Sequence, residues 1–172
     1  MPPAWQKHSL WLVPAGEVCE RLSRILSRLS ARFEAPDFAP HVTLLGSLVG
    51  ERRELIRQSA RLAAGLRPFT LRLGEIDFRD EYFRCLFVHA ALNEPLRKAH
   101  QAARREFSRQ HEPAFMPHLS LLYGDIPQSL KGELRAELGP RLEVQFKVRS
   151  LHLYGTHGEP SHWRRVASFG LS

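Results

Sequence analysis

Phe38–Gly46 reads FAPHVTLLG, and Phe115–Gly124 reads FMPHLSLLYG. In each stretch a proline precedes a histidine, a hydroxyl residue follows two places later, and a pair of leucines comes next. The histidines, His41 and His118, stand 118 − 41 = 77 residues apart in a chain of 172, close to half its length. A match this short arises by chance in leucine-rich sequences, so its surroundings decide whether it marks a repeat.

Working outward, each stretch sits in a similar succession of elements. His8–Pro14 (HSLWLVP) is a short apolar strand ended by proline. From Ala15 to Phe33, Val18, Leu22, Ile25, Leu26, Leu29 and Phe33 recur at three- and four-residue steps, which predicts an amphipathic helix. A loop with Pro36 and Pro40 leads to a strand starting at His41; a helix over 51–66 and an alternating strand over 68–78 follow. The second half repeats this order: a strand over 84–92, a helix capped by Asn93 and running to about Gln110, and a loop with Pro113 and Pro117. The strand of His118, a short helix over 128–138 and strands near 142–154 and 163–171 complete it. The expectation is an α+β fold over residues 1–172 as one domain, built of two pseudo-symmetric lobes. Each lobe is a mostly antiparallel sheet with helices outside, and a central cleft lies between them.

Bulk composition excludes several classes. Hydrophobic residues make up 43% and charged residues 25%, ordinary for a globular chain. No apolar run approaches the roughly 18 residues that cross a bilayer. The opening MPPAWQKHSLWLVP lacks a small-residue cleavage site and does not read as a leader. Cys19 and Cys85 alone make no disulfide framework, so a reduced, cytoplasmic setting is expected, with no membrane partner. The net charge of +7 raises the local concentration of anionic ligands, although the arginines are spread over helices rather than gathered in one patch.

Strand alternation gives the repeated motif its chemical meaning. Residues i and i+2 share a face, so His41 points with Thr43 and His118 with Ser120, while Val42, Leu44, Leu119 and Leu121 point the other way. Buried without partners, such polar groups would cost roughly 1–3 kcal/mol each, so the arrangement calls for water, a network or a ligand. Two imidazoles flanking a phosphorus can supply both the base for an attacking water and the acid for a leaving oxygen. The two hydroxyls can donate to the non-bridging oxygens. Two histidines without nearby carboxylates make a poor metal site, so no metal and no cofactor is expected. His152, His157 and His162 bracket a Gly/Pro-containing turn and read as surface loop. His8, His89, His100 and His111 lack a repeat partner, Cys85 reads as a small core residue, and Tyr82 and Phe83 as base-stacking or rim aromatics.

At SLWLVP, FAPHVTLLG, FRCLFV and FMPHLSLLYGD the chain resembles the 2H phosphoesterase superfamily, and more narrowly the cyclic phosphodiesterases of plants and yeast. The resemblance covers about the whole chain. It implies hydrolysis of 2',3'-cyclic nucleotides to 2'-phosphates, and of ADP-ribose 1'',2''-cyclic phosphate, a by-product of tRNA splicing. It further implies that His41 and His118 are catalytic, His41 protonating the leaving oxygen and His118 activating water, with Thr43 and Ser120 holding the phosphate. Trp11 and Tyr123 match family aromatics near the cleft. For Trp11 plain core packing is the competing reading. Tyr123 stands opposite Ser120 under strict alternation, so it reaches the cleft only if the strand ends or twists there. A monomer is expected. Two alternatives stand beside this reading: an enzyme of RNA ends, acting on RNA 2',3'-cyclic phosphate or 2'–5' linkages, and a nucleotide- or RNA-binding module without turnover.

Overall fold

The computed structural model describes residues 7–172; residues 1–6, the start of the stretch weighed above as a leader, lie outside it. Within the described residues, eight strands and four helices follow in the order β1 (Lys7–Leu12), α1 (Gly16–Arg32), β2 (Val42–Val49), α2 (Arg52–Ala64), β3 (Phe69–Asp77), β4 (Leu86–Ala90), α3 (Glu94–Glu106), β5 (His118–Leu122), α4 (Gln128–Leu138), β6 (Arg141–Val148), β7 (Ser150–Gly155) and β8 (Arg164–Gly170). Two 3-10 turns, Tyr82–Arg84 and Pro160–His162, precede β4 and β8. Among the described residues no helix is long and apolar enough to cross a membrane.

The helices form where the apolar spacing places them. On α1, Leu22, Leu26 and Leu29 are buried; on α3, Leu96, Ala99 and Ala103 are. Asn93 caps α3 by accepting from the Leu96 amide at 3.0 Å, and its side-chain amide donates to the Thr70 carbonyl of β3 at 2.9 Å. One boundary departs from expectation. α3 stops at Glu106, not near Gln110, because Ser108 turns into the left-handed region at φ 53° and carries the chain off the helical path. The Arg104 guanidinium then satisfies the Arg109 and Gln110 carbonyls. Freed from the helix, Arg109 reaches across to the carbonyls of Gly46 and Ser47 in β2, at 3.2 and 3.3 Å.

All strand pairs among the described residues are antiparallel, in the order β6-β3-β4-β5-β2-β1-β7-β8. The two expected lobes are the two halves of this order, β2-β1-β7-β8 and β5-β4-β3-β6. They are joined along the motif strands by one ladder pair, Val42 with Leu119. Only Arg149 separates β6 from β7, yet the two stand six places apart in the sheet. Laid flat, that separation would be about 29 Å at the usual ~4.8 Å per strand, far beyond one residue's reach. The sheet is therefore strongly curled.

The lobes are not the two halves of the chain. β3, from the first half, pairs with β4 and β6, while β7, from the end of the chain, pairs with β1. The repeat visible in the letters thus holds for the inner strands, and the outer ones are exchanged. Helices cross over too: α1 packs on β5, and α3 on β2. Val42, Leu44, Leu119 and Leu121 are almost wholly buried beneath them.

Asn93→Ala removes both the cap and the tie to β3 and is expected to lower unfolding free energy by about 1–2 kcal/mol. Asn93→Asp, which keeps the acceptor, should lose less. Urea denaturation followed by circular dichroism measures both.

Candidate active site

The seam between β2 and β5 sets the site. With Val42 opposite Leu119, antiparallel counting puts His41 across from Ser120 and Thr43 across from His118. Opposed residues share a face, so the four polar side chains form a two-by-two array and the four aliphatic ones lie behind it. Diagonal partners in such an array lie about 7–8 Å apart, their Cβ atoms somewhat closer, which leaves room for a tetrahedral phosphorus between the two imidazoles.

All six residues singled out in the sequence line one cavity of about 620 Å³: Trp11, His41, Thr43, His118, Ser120 and Tyr123. Each histidine donates Nδ1–H to the carbonyl two residues before it, His41 to Ala39 at 2.8 Å and His118 to Met116 at 2.9 Å. A carbonyl only accepts, so the proton sits on Nδ1 and Nε2 is left as the reactive nitrogen in both rings. The Pro40 and Pro117 loops that hold these carbonyls therefore fix the tautomers as well as the chain direction.

An aromatic ring from the adjoining strand holds each imidazole. Trp11 on β1 pairs with Thr43, and its indole stacks on His41 at 3.4 Å, the planes 4° apart. Tyr154 also stacks on the indole, at 3.7 Å. Phe87 on β4 pairs with Ser120 and meets His118 edge-on at 5.1 Å and 62°. Trp11 is 1% exposed, so the two readings of this residue merge: it is core, and its edge is also cleft wall. The doubt over Tyr123 resolves by strand length. β5 ends at Leu122, which releases Tyr123 from the alternation. Its ring stacks on Phe38 at 3.9 Å and borders the cavity.

Burial lowers the pKa of both histidines. His41 falls to about 4, mainly by desolvation, with a further push from any charge on His118; the Ala39 carbonyl works the other way. His118 also falls, first through desolvation, then through the Arg84 guanidinium and His89, against the Met116 carbonyl. The Tyr123 phenol is raised by burial and stays neutral. Ser120 donates to the Phe83 carbonyl at 3.1 Å, so its hydroxyl must rotate to serve a ligand.

The structure also brings in residues that the repeat could not reveal. Lys7, Ser9, Phe83, Arg84, Thr156, His157 and Trp163 line the same cavity. His157, read in the sequence as surface loop, belongs to the cleft wall; His152 lies on β7, bonded to the Ser150 hydroxyl at 2.9 Å, and His162 lies in the second 3-10 turn. His89 is cross-strand from His118 and bonds Asp77 at 2.8 Å. Among the described residues no three His, Cys, Asp or Glu side chains gather as a metal ion would need. Cys85 is fully buried, its thiol pKa raised by that burial.

Residues 7–160 match the model of the 2'-5' RNA ligase superfamily. The chain belongs to that superfamily. It is 26% identical over 172 residues to the "Cyclic phosphodiesterase" of Arabidopsis thaliana, an alignment covering 96% of this chain and 95% of the relative. Superfamily architecture is shared with solved structures at lower identity. A protein of Thermus thermophilus superposes with a TM-score of 0.69 at 17% identity, over 96% of this chain and 97% of its own. E. coli LigT, solved in complex with 3'-AMP, gives 0.64 at 17% identity, over 98% and 99%.

In the free protein His41 takes up a proton only near pH 4, whereas the unfolded chain does so near its ordinary value of 6.5. The unfolded state binds the extra proton between those values, so stability is fully present above about pH 6.5 and falls as the pH drops toward 4. Histidine NMR titration is expected to show His41 neutral and Nδ1-protonated at pH 6. Added inorganic phosphate should raise its pKa, since an anion beside the ring favours the imidazolium.

Proposed function

We propose that this superfamily member hydrolyses cyclic phosphodiesters, converting nucleoside 2',3'-cyclic phosphates to 2'-phosphates, by acid–base catalysis between His41 and His118. The observation that carries this reading is the matched pair of Nδ1-tethered imidazoles, each beside a hydroxyl, in one cavity. Kinship with a cyclic phosphodiesterase at 26% identity over nearly the whole chain supports it, and ADP-ribose 1'',2''-cyclic phosphate is a second substrate of the same chemistry.

In the reaction, the His118 Nε2 lone pair accepts a proton from water as the water oxygen bonds to phosphorus. The bond from phosphorus to O3' breaks, and the His41 imidazolium delivers its Nε2 proton to that oxygen. Thr43 and Ser120 hydroxyls donate to the non-bridging oxygens where charge accumulates. Two neighbours support this division of roles, while the burial of His41 works against it. Trp11 offers His41 a π face, which attracts an imidazolium, and Arg84 disfavours charge on His118. Desolvation of His41 opposes its protonation until the substrate phosphate enters and supplies the countercharge. After turnover the two protonation states are interchanged and reset by exchange with solvent.

The test is turnover of adenosine 2',3'-cyclic phosphate, and of an oligonucleotide ending in a cyclic phosphate, each with and without EDTA. EDTA-resistant turnover to the 2'-phosphate and a bell-shaped pH profile are expected. His41→Ala and His118→Ala should each lose at least about a hundredfold in rate. Wild-type-like activity in either variant overturns the mechanism. Preference for the oligonucleotide, with steep salt dependence, would instead identify RNA ends as the substrate.

A further inference from the structure

His89 lies outside the repeated motif, and the strand register shows where it stands. On β4, Phe87 is opposite Ser120, Val88 opposite Leu119 and His89 opposite His118. Opposed residues share a face, so His89 lies on the cleft side of the sheet, one strand away from His118. The Phe87 ring meets both imidazoles edge-on, His118 at 5.1 Å and 62° and His89 at 5.1 Å and 73°.

The matching positions of the other lobe are filled differently. Trp11 on β1, opposite Thr43, takes the place of Phe87, and Leu12, opposite Val42, takes that of Val88. One residue further along the same register, the position of His89 falls to Val13, beside His41. In the next strand outward Asp77 is opposite Phe87, whereas His152 is opposite Trp11. One catalytic histidine is therefore flanked by a His–Asp pair, and the other by an aliphatic residue.

Polar contacts hold the His–Asp pair in place. His89 Nε2 bonds Asp77 Oδ2 at 2.8 Å, Arg79 Nη1 donates to the same oxygen at 2.8 Å, and the Phe78 amide donates to Oδ1 at 2.8 Å. Burial works against charge on Asp77, but these three bonds outweigh it and hold the carboxyl below its ordinary pKa. Arg79 offsets the Asp77 charge, so a proton gained by His89 leaves the cluster positive. The other charged groups near His89 border the small cavity beside it: Arg72 and Glu75 of β3, Arg141 and Glu143 of β6. Glu143 is paired with Arg141, and Glu75 with Arg135 of α4. On the far side of His118 stand His41 and Arg84, the latter paired with Glu81 at 3.6 Å.

Resting on the assignment of His118 as general base, we infer that His89, held by Asp77, is a positioning residue for the reaction: protonated, it sets a positive charge beside His118 and keeps that ring free to accept a proton from water. A like charge nearby disfavours the charged form of the neighbour. Desolvation does most to lower the His118 pKa, against the Met116 carbonyl; Arg84 and then His89 add to the lowering, and Glu81 opposes it. Val13, at the matching place beside His41, adds no charge, which suits a residue that must itself carry one.

Two readouts test this at low ionic strength in the wild type, His89→Gln and His89→Lys. One is NMR titration of His118; the other is the pH profile of kcat/KM for adenosine 2',3'-cyclic phosphate. The glutamine keeps a donor for Asp77 and loses the charge, whereas the lysine keeps the charge. The His89 side chain is 31% exposed, so neither change opens a hole in the core. In His89→Gln the His118 midpoint, and with it the acidic limb of the profile, is expected to move up by about 0.4–1.5 pH units, the range for two charges roughly 8 Å apart at a dielectric between about 80 and 20. His89→Lys should return both to the wild-type position or below it. A shift under about 0.3 units in His89→Gln, or an equal upward shift in His89→Lys, overturns the proposal. If the midpoint moves and the acidic limb does not, the charge coupling stands, but the assignment of His118 as base fails and the catalytic role of His89 with it.

Discussion

One backbone pairing, Val42 with Leu119, organises this molecule. It locks the two motif strands antiparallel at the centre of a curled sheet and fixes which side chains stand opposite each other. Shifting either strand by one residue would turn His and hydroxyl toward the helices and aliphatic residues toward the cleft, because the side-chain period is two. Such a slip would bury polar groups without partners. The apolar face under α1 and α3 therefore does more than stabilise the fold, since it holds the register that assembles the site.

The two histidines are equivalent by construction and made unequal by their neighbours. Both are tethered at Nδ1 to the carbonyl two residues earlier, so both present Nε2. Their flanking aromatics differ: a stacked indole for His41, an edge-on phenyl for His118, with Arg84 acting on the latter. A duplicated scaffold thus supplies symmetric placement, and the adjacent side chains make the two rings unequal. General acid and general base need that asymmetry, because one must start charged and the other neutral.

Much of this was legible in the letters. His41, Thr43, His118 and Ser120 could be read because strand alternation converts spacing into facing, and alternation is local. Tyr123 was harder: its place depends on β5 ending at Leu122, and strand ends are set by pairing rather than by pattern. The exchange of β3 and β7 between lobes left no local trace at all, since an apolar alternating strand fits either sheet. Phe83, Arg84, His157 and Trp163 come from turns, where no periodicity says which way a side chain points. Their proximity exists only through the curl that brings β6 and β7 together around Arg149. Phe83 shows the limit well. From the sequence it reads equally as a base-stacking or a rim aromatic, and only the fold sets it in the cavity wall beside Trp163.

The central claim is that His41 and His118 act on one phosphorus from opposite sides. A crystal structure with adenosine 2'-monophosphate bound tests it most directly. The expected result is His41 Nε2 and His118 Nε2 each within hydrogen-bond distance, about 2.7–3.2 Å, of different oxygens on the same phosphate, with Thr43 and Ser120 hydroxyls on the remaining ones. A phosphate touching only one of the histidines, or lying outside the cleft between them, would contradict the account.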